Sequence, residues 1–191
     1  MSFRRYLGAA ALIAPALMFA GASAAQAQQL DGPPVAGVCL LSQEAVFANA
    51  KAGVAASAHL RDLAKAALDP LIAERQSIAN EDKALRAAKP ADFQAKEQAL
   101  LQRDRAAQAG LQKAERQIEL TKAKVRTQIG QAAQPVVADV FRAHNCGLLI
   151  NRDVVMGGNM SNDLTAGVIQ GLDAKMTTLS FGLEPFPVAK Q

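Results

Sequence analysis

Residues 84–101 have the sequence ALRAAKPADFQAKEQALL, which places a turn inside an otherwise helical stretch. Pro90 disfavours the helical conformation at Lys89, so a helix arriving from the N-terminal side ends there. Asp92 can cap a second helix that begins at Phe93. The segment therefore predicts a helical hairpin whose tip lies at Pro90.

Both flanks of this turn are long and consist almost entirely of strong helix formers. The outgoing helix is predicted over 54–88, with a kink or a restart at Asp69-Pro70. At a rise of 1.5 Å per residue it would reach roughly 50 Å. The returning helix is predicted over 93–144, with a kink at Pro135. These lengths exceed the width of a small domain.

Each predicted helix carries an apolar residue at every seventh position, which is the spacing of a coiled coil. The rows are Ala64, Leu71, Ile78 and Leu85 on the outgoing helix, and Leu111, Ile118 and Val125 on the returning helix. The companion position of each heptad is often Ala, Glu or Lys. The seam between the helices is therefore expected to be thin, which leaves their other faces in solvent.

Two short apolar stretches lie outside the hairpin, VCLL at 38–41 and GLLI at 147–150. Their length predicts strands, over 37–42 and 147–150. Residues 154–156 could extend the same sheet, and a final helix over 164–176 has one apolar face with which to cover it. The predicted fold class is α+β and mostly helical, with a small β body, a long antiparallel helical hairpin and a C-terminal helix on the sheet.

The N-terminus has the three regions of a secretory signal peptide, with Arg4-Arg5, an apolar run over 7–20 and a small-residue end at Ala27. The apolar run is too short to span a bilayer comfortably. Cleavage after Ala27 would release an exported mature protein. The predicted organisation is a signal peptide (1–27), a lead-in with the first strand (28–52), the hairpin arm (53–134), the rest of the body (135–178) and a Pro-containing tail (179–191).

The composition excludes several classes of function. The formal charge of +4 falls to about +2 once Arg4 and Arg5 are removed, so little supports a nucleic-acid partner. Aromatic residues make up 4% of the chain and Trp is absent, so the chain is short of the large side chains that fill a compact globular core. The sequence therefore does not favour a single globular core.

Cys39 and Cys146 each lie at the leading end of a predicted strand. If the strands are parallel neighbours, the two sulfurs could bond in an oxidising compartment and close a loop of about 107 residues. Two buried free thiols fit the sequence equally well.

The sequence offers no convincing catalytic, metal or cofactor site. His144 and Cys146 supply only two of the four ligands that zinc takes in proteins. Gly157-Gly158-Asn159 lacks the spaced glycines of phosphate-binding loops, and no nucleophile elbow occurs. We therefore predict a protein that is not an enzyme and has no cofactor or metal.

A basic group lies on the returning helix near the body, where it outnumbers the nearby acids Glu115 and Glu119. It comprises Lys113, Arg116, Lys122, Lys124 and Arg126. Such a group could attract acidic segments of a partner or anionic lipid headgroups. The alternative is an ordinary solvated helix face. The tip is nearly neutral by contrast, since residues 74–105 hold seven Lys or Arg and six acids.

Two patches, together with the order of elements, point to a known family. Residues 145–151, NCGLLIN, resemble the returning strand of the Skp (OmpH-like) family of periplasmic chaperones, and Asn162-Asp163-Leu164-Thr165-Ala166 resembles the opening of its last helix. The exit from the first strand, Gln43 to Phe47, is also similar. Family arms tend to be strongly basic toward their tips, and this chain departs from that pattern. The tail over 181–191 lies outside the resemblance.

The resemblance implies a homotrimer whose arms surround a cavity and hold unfolded outer-membrane proteins without ATP. The residues expected to pack the trimer body are Val38, Leu40, Leu148, Ile150, Leu164, Val168 and Leu172. The inward faces of the arms would contact the client, and an anionic membrane surface is a further possible partner. The alternative function is a structural coiled-coil protein of the cell envelope that acts as a spacer or tether.

Overall fold

The computed structural model describes residues 32–186, so the predicted signal peptide and the end of the predicted tail lie outside the described residues. Its elements are β1 (Val38–Leu41), α1 (Gln43–Asn49), α2 (Lys51–Ala88), α3 (Phe93–Ala143), β2 (Leu148–Asn151), a 3-10 turn (Arg152–Val154) and α4 (Thr165–Lys175). The α+β class with a long helical hairpin is confirmed. No helix within residues 32–186 is long and apolar enough to cross a membrane.

The body is built on a parallel pair of strands, in which Val38 of β1 lies opposite Leu148 of β2. On its other side β1 forms a bridge from Leu40 to Asp163, which brings the start of α4 beside the sheet. Val168 and Leu172 of α4 are completely buried. α4 therefore covers the sheet, as the spacing of its apolar residues indicates.

The prediction that residues 154–156 extend the sheet is wrong. The Asn151 side chain accepts a hydrogen bond from the Asp153 amide at 3.0 Å and starts the 3-10 turn directly after β2. Val154 and Met156 are both highly exposed. A local side-chain cap thus ends the strand before its apolar residues can pair.

The arm consists of α2 and α3, which run antiparallel on either side of Lys89, a left-handed residue at the end of α2. Both helices continue without a break through their internal prolines, so the predicted restart at Asp69-Pro70 is wrong. Pro70 is exposed, so water can satisfy the carbonyl that loses its helical donor. The hairpin therefore has two uninterrupted rods.

The seam of the arm differs in part from the predicted heptad rows. Ile78 and Leu85 of α2 and Val125 of α3 are buried as predicted, whereas Leu111 and Ile118 are only half-buried. From Val125 toward the tip, the buried row of α3 comprises Leu100, Ala107, Ala114 and Thr121. Three of these side chains are small, so periodicity of large apolar residues did not reveal them. Small residues let the helices approach closely.

Ion pairs join the two helices across the distal half of the arm. Arg103 of α3 lies 2.8 Å from Glu74 and 2.7 Å from Glu81 of α2, and Arg86 lies 3.1 Å from Glu97. Hydrogen bonds from Arg103 and from Ser77 lower the pKa of Glu81. Because these groups are exposed, they set the register of the hairpin more than its stability.

A polar network closes the end of the sheet against α4. The Ser42 amide donates to the Thr165 hydroxyl at 3.0 Å, and Arg152 pairs with Asp163 at 2.8 Å. Burial alone would raise the pKa of Asp163, but hydrogen bonds from Thr165 and from Arg152 outweigh it and hold that pKa below its usual range. The carboxylate thus stabilises the folded body in its charged form.

We expect Asp163→Asn to lower the free energy of unfolding at neutral pH by about 1 kcal/mol. The folded-state pKa lies below the unfolded value of 3.8, so the stabilisation is complete above that value and is lost as the pH falls through the folded-state pKa. Urea unfolding of both proteins at neutral and acid pH measures this. A difference that persists unchanged at acid pH would contradict it.

Candidate functional site

The predicted basic group lies on exposed positions of α3, but its charges are partly paired within the chain. Lys124 lies 2.6 Å from Glu184, and Lys122 lies 3.7 Å from Glu119. Arg126 pairs with Glu44, and its guanidinium lies 4.8 Å from the centre of the Phe47 ring. Among the described residues, Lys113 and Arg116 form no ion pair. The group is therefore less strongly charged toward solvent than its sequence indicates.

Residues 177–186, here called the C-terminal strap, run from the end of the body onto the root of the arm and contact both helices. His59 Nε2 of α2 donates to the Phe181 carbonyl at 3.0 Å, and the two rings meet edge to face at 4.9 Å. On α3 the strap pairs with Lys124, and Phe186 lines an open hollow of about 310 Å³ together with Lys113 and Arg116. The sequence assigned no role to His59 or to this segment.

Thr121 is the contact that joins the strap to the seam of the arm. It is 1% exposed and is the polar member of the buried row on α3. Its hydroxyl donates to the Gln117 carbonyl at 2.6 Å and accepts from the Glu184 amide at 2.8 Å. Gln117 Nε2 in turn donates to the Glu184 carbonyl at 3.2 Å. A polar residue in a row of Leu and Ala was the sequence signal that could have indicated this contact.

A cleft of about 640 Å³, here called the base cleft, lies between α1, the base of α3 and β2. Its walls include Phe47, Ile129, Val137 and Leu149, and Arg126 lies at its edge. Beside it Leu148 of β2 is 53% exposed. An apolar hollow next to an exposed strand residue is a surface suited to self-association.

The predicted body residues divide between the interior and this surface. Leu164, Val168, Leu172 and Leu40 are buried within the chain itself. Val38 and Ile150 are half-buried, and Leu148 is exposed. The first four thus pack inside the chain itself, whereas the other three keep part of their surface in solvent.

Cys39 and Cys146 form a disulfide whose Cα atoms are 5.8 Å apart. Cys39 lies in β1 and is buried, and Cys146 lies in the turn between α3 and β2. The bond closes a loop of 107 residues that contains the entire arm. The bond therefore ties β1 of the body to the turn that follows the returning helix α3.

The other motifs that the sequence singled out have structural roles. His144 ends α3, and its backbone amide donates to the Val140 carbonyl at 3.1 Å. Gly158 has a φ of 142° and lies in the loop between β2 and α4, a conformation for which glycine is suited. Within residues 32–186, no group of three or more His, Cys, Asp or Glu side chains could hold a metal ion.

Comparison with known proteins places this architecture in a family. Residues 37–172 match the family described as outer membrane protein (OmpH-like). The crystal structure of a protein from Caulobacter crescentus CB15, assigned as an OmpH-like outer membrane chaperone, is 30% identical in sequence and superposes with a TM-score of 0.71. The alignment covers 81% of this chain and 94% of that one. No curated protein sequence matches significantly. The chain therefore belongs to the OmpH-like family of outer membrane chaperones.

Proposed function

We propose that this protein is an ATP-independent periplasmic holdase that binds unfolded outer-membrane proteins between the arms of a homotrimer. The observation that carries the proposal is the arm itself. α2 has 38 residues and rises roughly 57 Å, well beyond the core that β1, β2 and α4 build. A pair of rods with solvated faces offers a large surface for contact with a client. Membership of a chaperone family supports the same conclusion.

The client would be held by many weak apolar contacts spread along the arm. Val54, Ile72, Leu101 and Leu120 are exposed large apolar residues on α2 and α3, separated by charged and small side chains. Isolated apolar side chains of this kind give modest contacts individually. Their sum can retain an unfolded chain and still release it without ATP.

The trimer would form through the exposed edge of β2. Within residues 32–186, β2 pairs only with β1, whereas β1 has partners on both of its sides. A free strand edge with an exposed Leu148 beside the base cleft is well suited to pair with another copy. Light scattering combined with small-angle X-ray scattering tests this, and a compact monomer would contradict it.

The periplasmic location rests on the signal peptide predicted over 1–27 and on the disulfide. Bonded cysteines are usual in exported proteins and rare in the cytosol. A mass measurement of the mature protein gives both the cleavage site and the state of the thiols.

The holdase is tested by diluting a denatured β-barrel outer-membrane protein into buffer and following its aggregation by light scattering. We expect the wild type to suppress aggregation, and the variant V54S/I72S/L101S/L120S to lose most of that suppression because its apolar arm contacts are removed. The matched control V154S/M156S changes exposed apolar residues of the body and should behave like the wild type. A wild type without any effect would favour the spacer or tether instead.

The basic group is expected to contribute to the rate of capture. Replacing Lys113, Arg116, Lys122, Lys124 and Arg126 with Gln should slow client association at low salt by about tenfold, since clustered charge steers encounter. The control replaces three distal bases that form no ion pair within residues 32–186, namely Lys83, Lys89 and Arg105. Stopped-flow fluorescence with a labelled client measures both. Equal rates for wild type and the first variant would reject steering.

A further inference from the structure

The C-terminal strap lies beyond residue 172, where the match to the family ends. It nevertheless has well-defined contacts with α2 and α3, at separations of 60 to 122 residues in the sequence. Its extended, Pro-containing sequence has the character of an unfolded peptide, because residues 177–186 form no helix or strand. The strap is thus a peptide segment bound to the root of the arm.

The arm binds main-chain groups of this segment, and the Leu179 and Phe181 side chains also pack against the buried core. The Glu184 amide and carbonyl are both bound, by the Thr121 hydroxyl and the Gln117 amide, and the Phe181 carbonyl is bound by His59. Main-chain hydrogen bonds of this kind do not depend on the side chains of the bound peptide. The same donors and acceptor can bind any extended chain that reaches them.

Side-chain contacts add a preference for sequence. Phe181 packs edge to face on His59, Glu184 pairs with Lys124 and Phe186 lies beside Lys113 and Arg116. In the strap an aromatic residue, Phe181, is followed after two residues by the acidic Glu184, then by Pro185 and by a second aromatic residue, Phe186. Segments with aromatic residues on both sides of an acidic residue would make the same contacts.

We propose that the root of the arm is a binding site for an extended peptide, and that the C-terminal strap occupies it in cis and competes with client segments. The competition rests on the proposed holdase function, whereas the peptide site rests only on the contacts above. A site filled by its own chain binds an outside ligand with an affinity reduced by the fraction of time that it is free. The strap therefore limits binding until a client segment displaces it.

The probe is a synthetic peptide with the sequence of residues 177–186, TTLSFGLEPF, labelled with fluorescein and measured by fluorescence anisotropy against the full mature chain. We expect weak binding to the wild type and about tenfold tighter binding to F181A/E184Q, whose strap is held less well. The control E115Q/M156A removes one exposed acid and one exposed apolar side chain elsewhere and should match the wild type. A peptide carrying the same Phe to Ala and Glu to Gln changes should bind more weakly.

Adding Thr121→Val to F181A/E184Q removes the hydroxyl that accepts the peptide amide and should abolish the gain. Equal peptide affinity for the wild type and F181A/E184Q, with F181A/E184Q correctly folded by circular dichroism, would overturn the proposal and leave the strap as a structural clasp. If the wild type suppresses aggregation but the peptide does not compete with the client, the proposed competition is rejected and the proposed holdase function is retained. If the wild type does not suppress aggregation but F181A/E184Q binds the peptide, the proposed holdase function is rejected and the proposed peptide-binding site is retained.

Discussion

Replacing both cysteines with alanine is expected to lower the free energy of unfolding by about 4.7 kcal/mol, the largest stability effect predicted for this protein. The Cys39–Cys146 bond closes a loop of 107 residues, and in the chain-entropy model a long closed loop strongly restricts the unfolded chain. Alanine avoids placing a hydroxyl in the buried position of Cys39. Urea unfolding of both proteins at one fixed protein concentration measures the difference.

Reduced wild-type protein is the control for the loss of side-chain volume in C39A/C146A. Because dithiothreitol breaks the bond and leaves both sulfurs in place, its effect on stability should approach that of the variant. A loss below about 1 kcal/mol in both proteins would contradict the expected restriction of the unfolded chain by the bond. Functionally, reduction should loosen the root of the arm, since β1 and the end of α3 are then joined only by packing and strand pairing.

Gly53→Ala is expected to destabilise the protein by about 3 kcal/mol or more. Gly53 lies buried in the first turn of α2, where a methyl group would overlap the Phe47 carbonyl oxygen and lie 2.8 Å from the carbonyl carbon. These are backbone atoms of α1, so no side-chain rotation can relieve the overlap. The junction that directs the arm away from the body would have to move. Thermal and urea unfolding measure the loss.

Gly130→Ala is the matched control, since Gly130 also lies within a long helix but a methyl group there meets no atom within 4 Å. Alanine has the higher helix propensity, so this variant should be more stable than the wild type by roughly 1 kcal/mol. If both variants change the free energy of unfolding with the same sign and size, the close approach at Gly53 does not cause the loss of stability.

Much of the fold was predictable because it depends on neighbours in the sequence. Pro90 fixed the tip of the hairpin through steric exclusion, and α3 does begin at Phe93, although the Asp92 side chain makes no capping hydrogen bond there. The error at 154–156 arose because the Asn151 cap competes with strand extension, a choice that an apolar run does not reveal. The buried row of Leu100, Ala107, Ala114 and Thr121 was missed because small residues look the same on a seam and on a surface.

The candidate site was less predictable for the same reason. The basic group was visible as a cluster of charge along α3, but its partners Glu184 and Glu44 lie 60 and 82 residues away. Which of these basic residues remain without an ion pair depends on where the fold places those two acidic residues. Nothing in the sequence indicated a role for His59, because its partner Phe181 lies 122 residues away.

By itself, the sequence determined two long helices, the turn between them and two short strands, because helix propensity, the seven-residue spacing and Pro90 act over a few residues. Only the tertiary structure decided that Cys39 bonds Cys146, that Gly53 must lack a side chain, and that residues 177–186 bind across the root of the arm. Each of these depends on bringing together atoms from separate elements. No local pattern encodes such distances, so they follow from how the helices pack.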